Sequence, residues 1–306
     1  LHHIAWDLLA GSSVPSRPDC LMKIYWRILF ISMIALSWPG GAHAAKVMFK
    51  FANPDGTSLR VFITRPVHLA ADRPVVFVMH GVNRNAQGYR DQWHDLANEH
   101  DFLLVVPEFS NREFPGSERY NLGNVFDENG TLNDETAWSY STVELIFDEV
   151  RRRFSMTTEN YSLYGHSAGA QFVHRFIFHV PQARVRQIVS ANAGWYMMPD
   201  EGVDYPYGLL GSAIGPDRIR AALQLPVTIL LGEEDTDAEH PNLRRTPEAL
   251  AQGEHRLARG NAFFETARRY SELLGVPFNW RLETVQGADH DNRLMAPAAI
   301  PYLLGF

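Results

Sequence analysis

From about residue 46 onward, short apolar runs alternate with longer stretches of helical spacing. Residues 46–51 and 59–64 read as strands, with Asn53-Pro54-Asp55-Gly56 as the turn between them. Pro74-Val75-Val76-Phe77-Val78-Met79 is almost unbroken in its apolar character, the pattern of a central strand covered on both faces. A helix over 88–100 follows, then a second buried strand over 102–106. Apolar spacing predicts a helix over 134–154, a short strand over 161–164 and a helix over 170–180 that Pro181 stops. Strands at 186–190, 227–231 and 278–285, a helix-rich stretch over 246–274 and a terminal helix over 293–304 complete the series. Two long segments, 107–133 and 191–225, carry no period.

Strands that alternate with helices after an initial β pair predict an α/β fold: a mostly parallel, doubly wound sheet with helices on both faces. A site in such a sheet lies beyond the carboxyl ends of the strands. Both irregular segments start at such ends, so both are expected to overhang it. There are no internal repeats. No glycine-rich dinucleotide fingerprint or Walker motif is present, which removes support for nucleotide chemistry.

The region before residue 45 reads differently. Met22 opens a stretch with Lys23 and Arg27, an apolar run over 28–36, a Pro39-Gly40-Gly41 break and a small-x-small site at Ala42-His43-Ala44. That is the layout of an export signal, too short in its apolar part for a comfortable membrane span. The expected organisation is therefore a spurious or disordered leader at 1–21, a signal peptide at 22–44, and a single catalytic domain at 45–306 that is periplasmic or secreted. Twenty-eight basic against 35 acidic residues give a net charge of −7. An acidic chain without a basic cluster argues against a nucleic-acid partner. The one cysteine, Cys20, lies in the leader, so the exported part is expected to hold no disulfide, thiol nucleophile or cysteine-ligated metal, and no cofactor or metal is expected.

The chemistry concentrates at Gly165-His166-Ser167-Ala168-Gly169, a Gly-x-Ser-x-Gly sequence between a strand and a helix. Strand, sharp turn and helix are the setting of a nucleophile elbow, which lifts a serine hydroxyl clear of the sheet. A serine needs a base, and the base needs a group to orient it. The expected chain order is serine, acid, histidine. Gly232-Glu233-Glu234-Asp235 follows the strand at 227–231, and Asp235 is the chosen acid, with Asp237 second and Glu233 and Glu234 behind. Gly287-Ala288-Asp289-His290 follows the last strand and offers His290 as general base and later acid. His94, His100, His174, His179, His240 and His255 read as surface or packing residues. The oxyanion hole needs two backbone N–H groups. Ala168 supplies one. Val82, in the His80-Gly81-Val82 loop after the strand at 74–79, is chosen for the other, with Gly81 the alternative. Tyr120, Trp138, Trp195 and Tyr196 are candidate walls of an apolar acyl or aryl pocket.

The histidine–glycine after the third strand, the Gly-His-Ser-Ala-Gly elbow, the acid turn and the late Gly-Ala-Asp-His together resemble the α/β-hydrolase superfamily, over nearly the whole chain past residue 45. Within it the chain is similar to secreted esterases of the poly(3-hydroxybutyrate) depolymerase and feruloyl esterase type. The resemblance implies the α/β-hydrolase fold and a serine esterase working through an acyl-enzyme on a small or polymeric ester. The insertion over 237–259 is unlike the short acid loop expected there. An acyltransferase or serine peptidase on the same triad is the alternative within enzymes, and a binding protein that kept the fold without the chemistry is the alternative outside them.

Overall fold

The computed structural model describes residues 44–305. The export signal and the leader read from the sequence lie outside the described residues. Among these, eight strands form one sheet in the order β1-β2-β4-β3-β5-β6-β7-β8. They are β1 (Ala45–Ala52), β2 (Ser58–Arg65), β3 (Val75–Met79), β4 (Leu103–Glu108), β5 (Tyr161–His166), β6 (Val185–Ala191), β7 (Val227–Gly232) and β8 (Arg281–Val285). β1 pairs with β2 and β2 with β4 antiparallel, and every later pairing is parallel. The fold class expected from the sequence is the one observed.

The unbroken apolar runs have a direct explanation. In a strand, successive side chains point to opposite faces. Val75, Phe77 and Met79 of β3 enter one core, and Val76 and Val78 enter the other. The first core is closed by α2 (Ser141–Phe154), α3 (Ala168–His179), α4 (Pro216–Leu223) and α6 (Arg256–Leu274), the second by α1 (Ala86–Glu99) and α7 (Asn292–Leu304). α3 is buried along its whole length, which is why it carries so many apolar residues.

Several boundaries differ from the sequence reading. The predicted helix over 134–154 begins as a 3-10 turn, Glu135–Ala137, capped by Asp134, and becomes α-helical only at Ser141. The helix-rich stretch splits into α5 (Pro247–Ala251) and α6, because Gly253 sits at φ 145° and interrupts it. α4 lies inside the second irregular segment and was not expected there; Pro216 opens it, and Ile219, Ala222 and Leu223 turn inward at helical spacing. The last strand starts at Arg281, three residues later than expected. No helix among the described residues is long and apolar enough to cross a membrane.

One close contact fixes the centre of the sheet. A Cβ on Gly169, in the first turn of α3, would collide with the backbone carbonyl of Met79 at the end of β3. A Cβ on Gly165 would collide with the backbone of Gly169 itself. Neither neighbour is a side chain that can swing away. Gly169→Ala is therefore expected to lower stability by at least about 2 kcal/mol, the upper range for overpacking a core, read as a drop in the urea midpoint. A shift below about 0.5 kcal/mol would show that α3 and β3 do not meet this closely.

Candidate active site

β5 ends at His166 and α3 starts at Ala168, leaving Ser167 alone in the bend at φ 58° and ψ −115°. That is a strained position for a residue with a Cβ. It is held from both sides: the Ser167 N–H donates to the Ala191 carbonyl at 3.0 Å, and the Ser167 carbonyl accepts from Gln171 at 3.1 Å. Its hydroxyl is thereby presented at the carboxyl edge of the sheet.

Asp235 and His290 reach the same point from β7 and β8. The His290 Nδ1 lies 2.7 Å from Asp235 Oδ2, and its Nε2 lies 3.0 Å from the Ser167 Oγ. A carboxylate can only accept, so the Nδ1 carries the proton and the Nε2 lone pair faces the serine hydroxyl. Two other acids of the turn are occupied elsewhere. Asp237 accepts from the Glu239 N–H at 2.8 Å, and Glu233 accepts from the Thr284 hydroxyl at 2.7 Å. Only Asp235, 2% exposed, meets the histidine.

The two loops are tied together by Asn192, just past β6 at φ 52°. Its Oδ1 accepts from the Gly232 N–H at 2.8 Å, and its Nδ2 donates to the Asp289 carbonyl at 3.1 Å. One amide thus sets the acid turn against the base loop. Asparagine tolerates the left-handed conformation better than most residues, which suits it to this post.

The loop after β3 passes on the other side of Ser167, close enough that a Cβ on Gly81 would stand 3.8 Å from the serine Cβ. His80 is fully buried beneath it. Its Nε2 accepts from the Phe109 N–H at 3.1 Å and its Nδ1 lies 3.0 Å from the Gly81 carbonyl. Tyr120 stacks on the imidazole at 4.8 Å and donates its hydroxyl to the His80 carbonyl at 2.7 Å. Ala168 heads α3, where free N–H groups and the helix dipole face the serine.

No family model and no curated protein matches the chain. Among solved structures it is similar to poly(aspartic acid) hydrolase-1 from Sphingomonas sp. KT-1, at 40% identity over 86% of this chain and 98% of the other, with a TM-score of 0.82. It is also similar to LpqC, a poly(3-hydroxybutyrate) depolymerase from Bordetella parapertussis, at 35% identity over 86% and 91%, with a TM-score of 0.81. The chain belongs to the α/β-hydrolase family. S-formylglutathione hydrolase FrmB from Staphylococcus aureus, at 15% identity over 84% and 96% and a TM-score of 0.53, shares the fold. The expected kinship with the poly(3-hydroxybutyrate) depolymerase type is borne out, and with it the expectation of a carboxylic ester hydrolase at the level of enzyme class.

The four aromatic residues expected to wall a pocket in this α/β-hydrolase are buried instead. Tyr120 is packed between His80, Phe109 and Phe172. Trp138 meets His179, at the C-terminal end of α3, and the Arg218 guanidinium. Trp195 is sandwiched between Arg175 and Arg244 at 4.1 and 4.6 Å. Tyr196 stacks on Phe263. All four are buried, and none presents an open face. The cleft beside His290, of about 630 Å³, is polar: Gln92, Glu234, Asp237, Asp289, Asp291 and Arg293 line it with His290.

His240 is the histidine whose place differs from the reading of the sequence. Its ring stands against His290 at 5.4 Å, and its Nδ1 accepts from Arg256 Nη2 at 3.0 Å. The same arginine donates to Asp235 Oδ1 at 3.2 Å. The His166 ring also lies against His290, tilted at 4.8 Å, and pairs with the Tyr89 hydroxyl. His166 lies inside the elbow pentapeptide, whereas no motif marks His240. The remaining histidines support structure: His174 and His179 bond carbonyls one turn back on α3, and His255 caps α6. Among the described residues no group of three or more His, Cys, Asp or Glu is arranged to hold a metal.

Burial pushes His80 down to about 3 and His179 to about 4, and drives His166 and His174 well below the ordinary imidazole range. In the unfolded chain these rings ionise near 6.5. Between the two values the unfolded state binds more protons, so their contribution to stability is full above about pH 6.5 and is lost as the pH falls. We expect the melting temperature to fall as the pH drops from about 6.5 towards 4, while the four imidazoles stay neutral by NMR at about pH 5 in the folded protein. Folded-state titration of these rings near their unfolded value would contradict this.

Proposed function

We propose that this chain is an exported serine hydrolase that cleaves carboxylic esters through an acyl-enzyme. Ser167 is the nucleophile, His290 the base and then the acid, and Asp235 the group that orients it. The observation that carries the proposal is the unbroken relay from Ser167 Oγ through both nitrogens of His290 to Asp235 Oδ2, mounted on a strained elbow. The serine hydroxyl adds to the ester carbonyl while its proton passes to His290 Nε2. The oxyanion is received by the N–H groups of Ala168 and Val82. Gly81, in the same loop over Ser167, is the alternative donor to Val82. Collapse expels the alcohol, which takes its proton from His290. Water then repeats the sequence on the acyl-serine.

Similarity to a poly(aspartic acid) hydrolase favours a second reading, cleavage of an amide-linked polyanion. The cleft speaks against it. Glu234, Asp237, Asp289 and Asp291 surround the base, and only Asp291 has an arginine partner there. A polyanion would meet like charge where its leaving group must lie. A neutral ester meets no such barrier. Export rests on the segment from Met22 to Ala44, with the catalytic domain at 45–306 and a periplasmic or secreted location.

Exported protein should begin at Ala45 and turn over short-chain aryl esters faster than poly(aspartic acid). Ser167→Ala should lower ester kcat/KM by more than about 10³-fold and abolish labelling by a fluorophosphonate. A variant that keeps both would overturn the mechanism.

A further inference from the structure

The insertion over 237–259 has no role in the Ser167–His290–Asp235 relay itself, yet both its ends converge on the acid. Its first part carries His240. Its last part is the start of α6, where Arg256 is the first helical residue. The Arg256 side chain is 1% exposed and faces an Asp235 side chain that is 2% exposed. Nη1 donates to Asp235 Oδ1, and Nη2 donates to His240 Nδ1. The next residue, Leu257, donates its N–H to the Asp235 carbonyl at 3.3 Å. The helix therefore addresses both the main chain and the side chain of one aspartate.

Stability is a poor explanation for this pairing. Stripping water from two charges costs about as much as their attraction returns, and an apolar pair of the same volume is often as stable. What the arginine does supply is geometry. A carboxylate held at one oxygen can rotate about its terminal bond. Held at Oδ1 by a planar guanidinium and at Oδ2 by His290, it cannot. The guanidinium is itself fixed, because its second nitrogen is spent on His240.

We propose that Arg256 is the positioning residue of the triad: braced by His240, it clamps Oδ1 of Asp235 so that Oδ2 alone faces His290. The insertion exists, on this account, to deliver that clamp. The inference rests on the Ser167–His290–Asp235 reading and adds to it.

The charge of Arg256 also shares the carboxylate with His290. Other groups face the base: His166 from the end of β5, Glu234 from the turn after β7, His240 and Asp237 from the insertion, Asp289 and Asp291 from its own loop, and Arg293 from α7. None of them touches Asp235 Oδ1. With Arg256 gone, the whole aspartate charge favours the protonated imidazole, and activity should fail at a higher pH on the acid side.

The test is a pH profile of ester hydrolysis for Arg256→Met and Arg256→Lys beside the parent. The Met variant should lose about 10- to 100-fold in kcat with little change in KM, and its acid limb should move up by about one pH unit. The Lys variant keeps the charge and loses the fork, so its acid limb should stay in place while kcat falls. Should the Met variant fail to fold, the Lys variant still decides by that split. Two folded variants with parental kcat and parental acid limb would overturn the inference, as would failure of both to fold, which would make the arginine structural. Fluorophosphonate labelling of Ser167 in the parent separates the two levels. Labelling with unaltered Arg256 variants sinks only the clamp, whereas absent labelling sinks the triad reading beneath it.

Discussion

Helix α3 runs so close to strand β3 that only glycine fits between them. Gly169 meets the Met79 carbonyl, and Gly165 meets Gly169. Because the backbones touch there, the chain between β5 and α3 has a single residue in which to turn. Ser167 absorbs the turn at φ 58°, at a cost of the order of 1–3 kcal/mol. That cost is met by the burial of the whole of α3 and by the two apolar cores that clasp β3. A serine hydroxyl pinned in this way cannot relax from the sheet edge, and every loop of the site is arranged around its fixed position.

The other groups arrive on strands whose order in the sheet does the positioning. β5, β6, β7 and β8 are consecutive neighbours, so the serine, Asn192, Asp235 and His290 emerge side by side from their carboxyl ends. Asn192 needs only one side-chain amide to join the acid turn to the base loop. The loop after β3 closes the opposite side, with His80 kept neutral by burial so that it can accept from Phe109 without placing a charge beneath the serine. Long loops thus meet at a point defined by short, rigid strands.

Much of this is legible in the sequence itself. The runs at 75–79 and 102–106 are apolar throughout because both faces are covered, and the elbow announces itself by residue type and setting. The choice of Asp235 among four neighbouring acids rests on where carboxylates point: Asp237 is spent on its own turn and Glu233 on Thr284 of β8. α4 escapes notice because its three inward residues sit within a glycine- and tyrosine-rich segment. The aromatic residues suggest a pocket by composition, but composition does not distinguish an exposed ring from a buried one. Arg256 and His240 lie 21 and 5 residues from Asp235 in the chain, on either side of α5, with no motif to link them. Their meeting is a product of the insertion's path.

The central claim is that catalysis passes through a covalent bond to Ser167. The most direct measurement is a mass spectrum of acid-quenched protein taken during turnover of a slowly deacylating aryl ester, followed by peptide mapping. The account predicts a mass increase equal to the acyl group, carried by the peptide containing Ser167 and absent from Ser167→Ala. Turnover with no acyl adduct, or with the adduct on another residue, would contradict it.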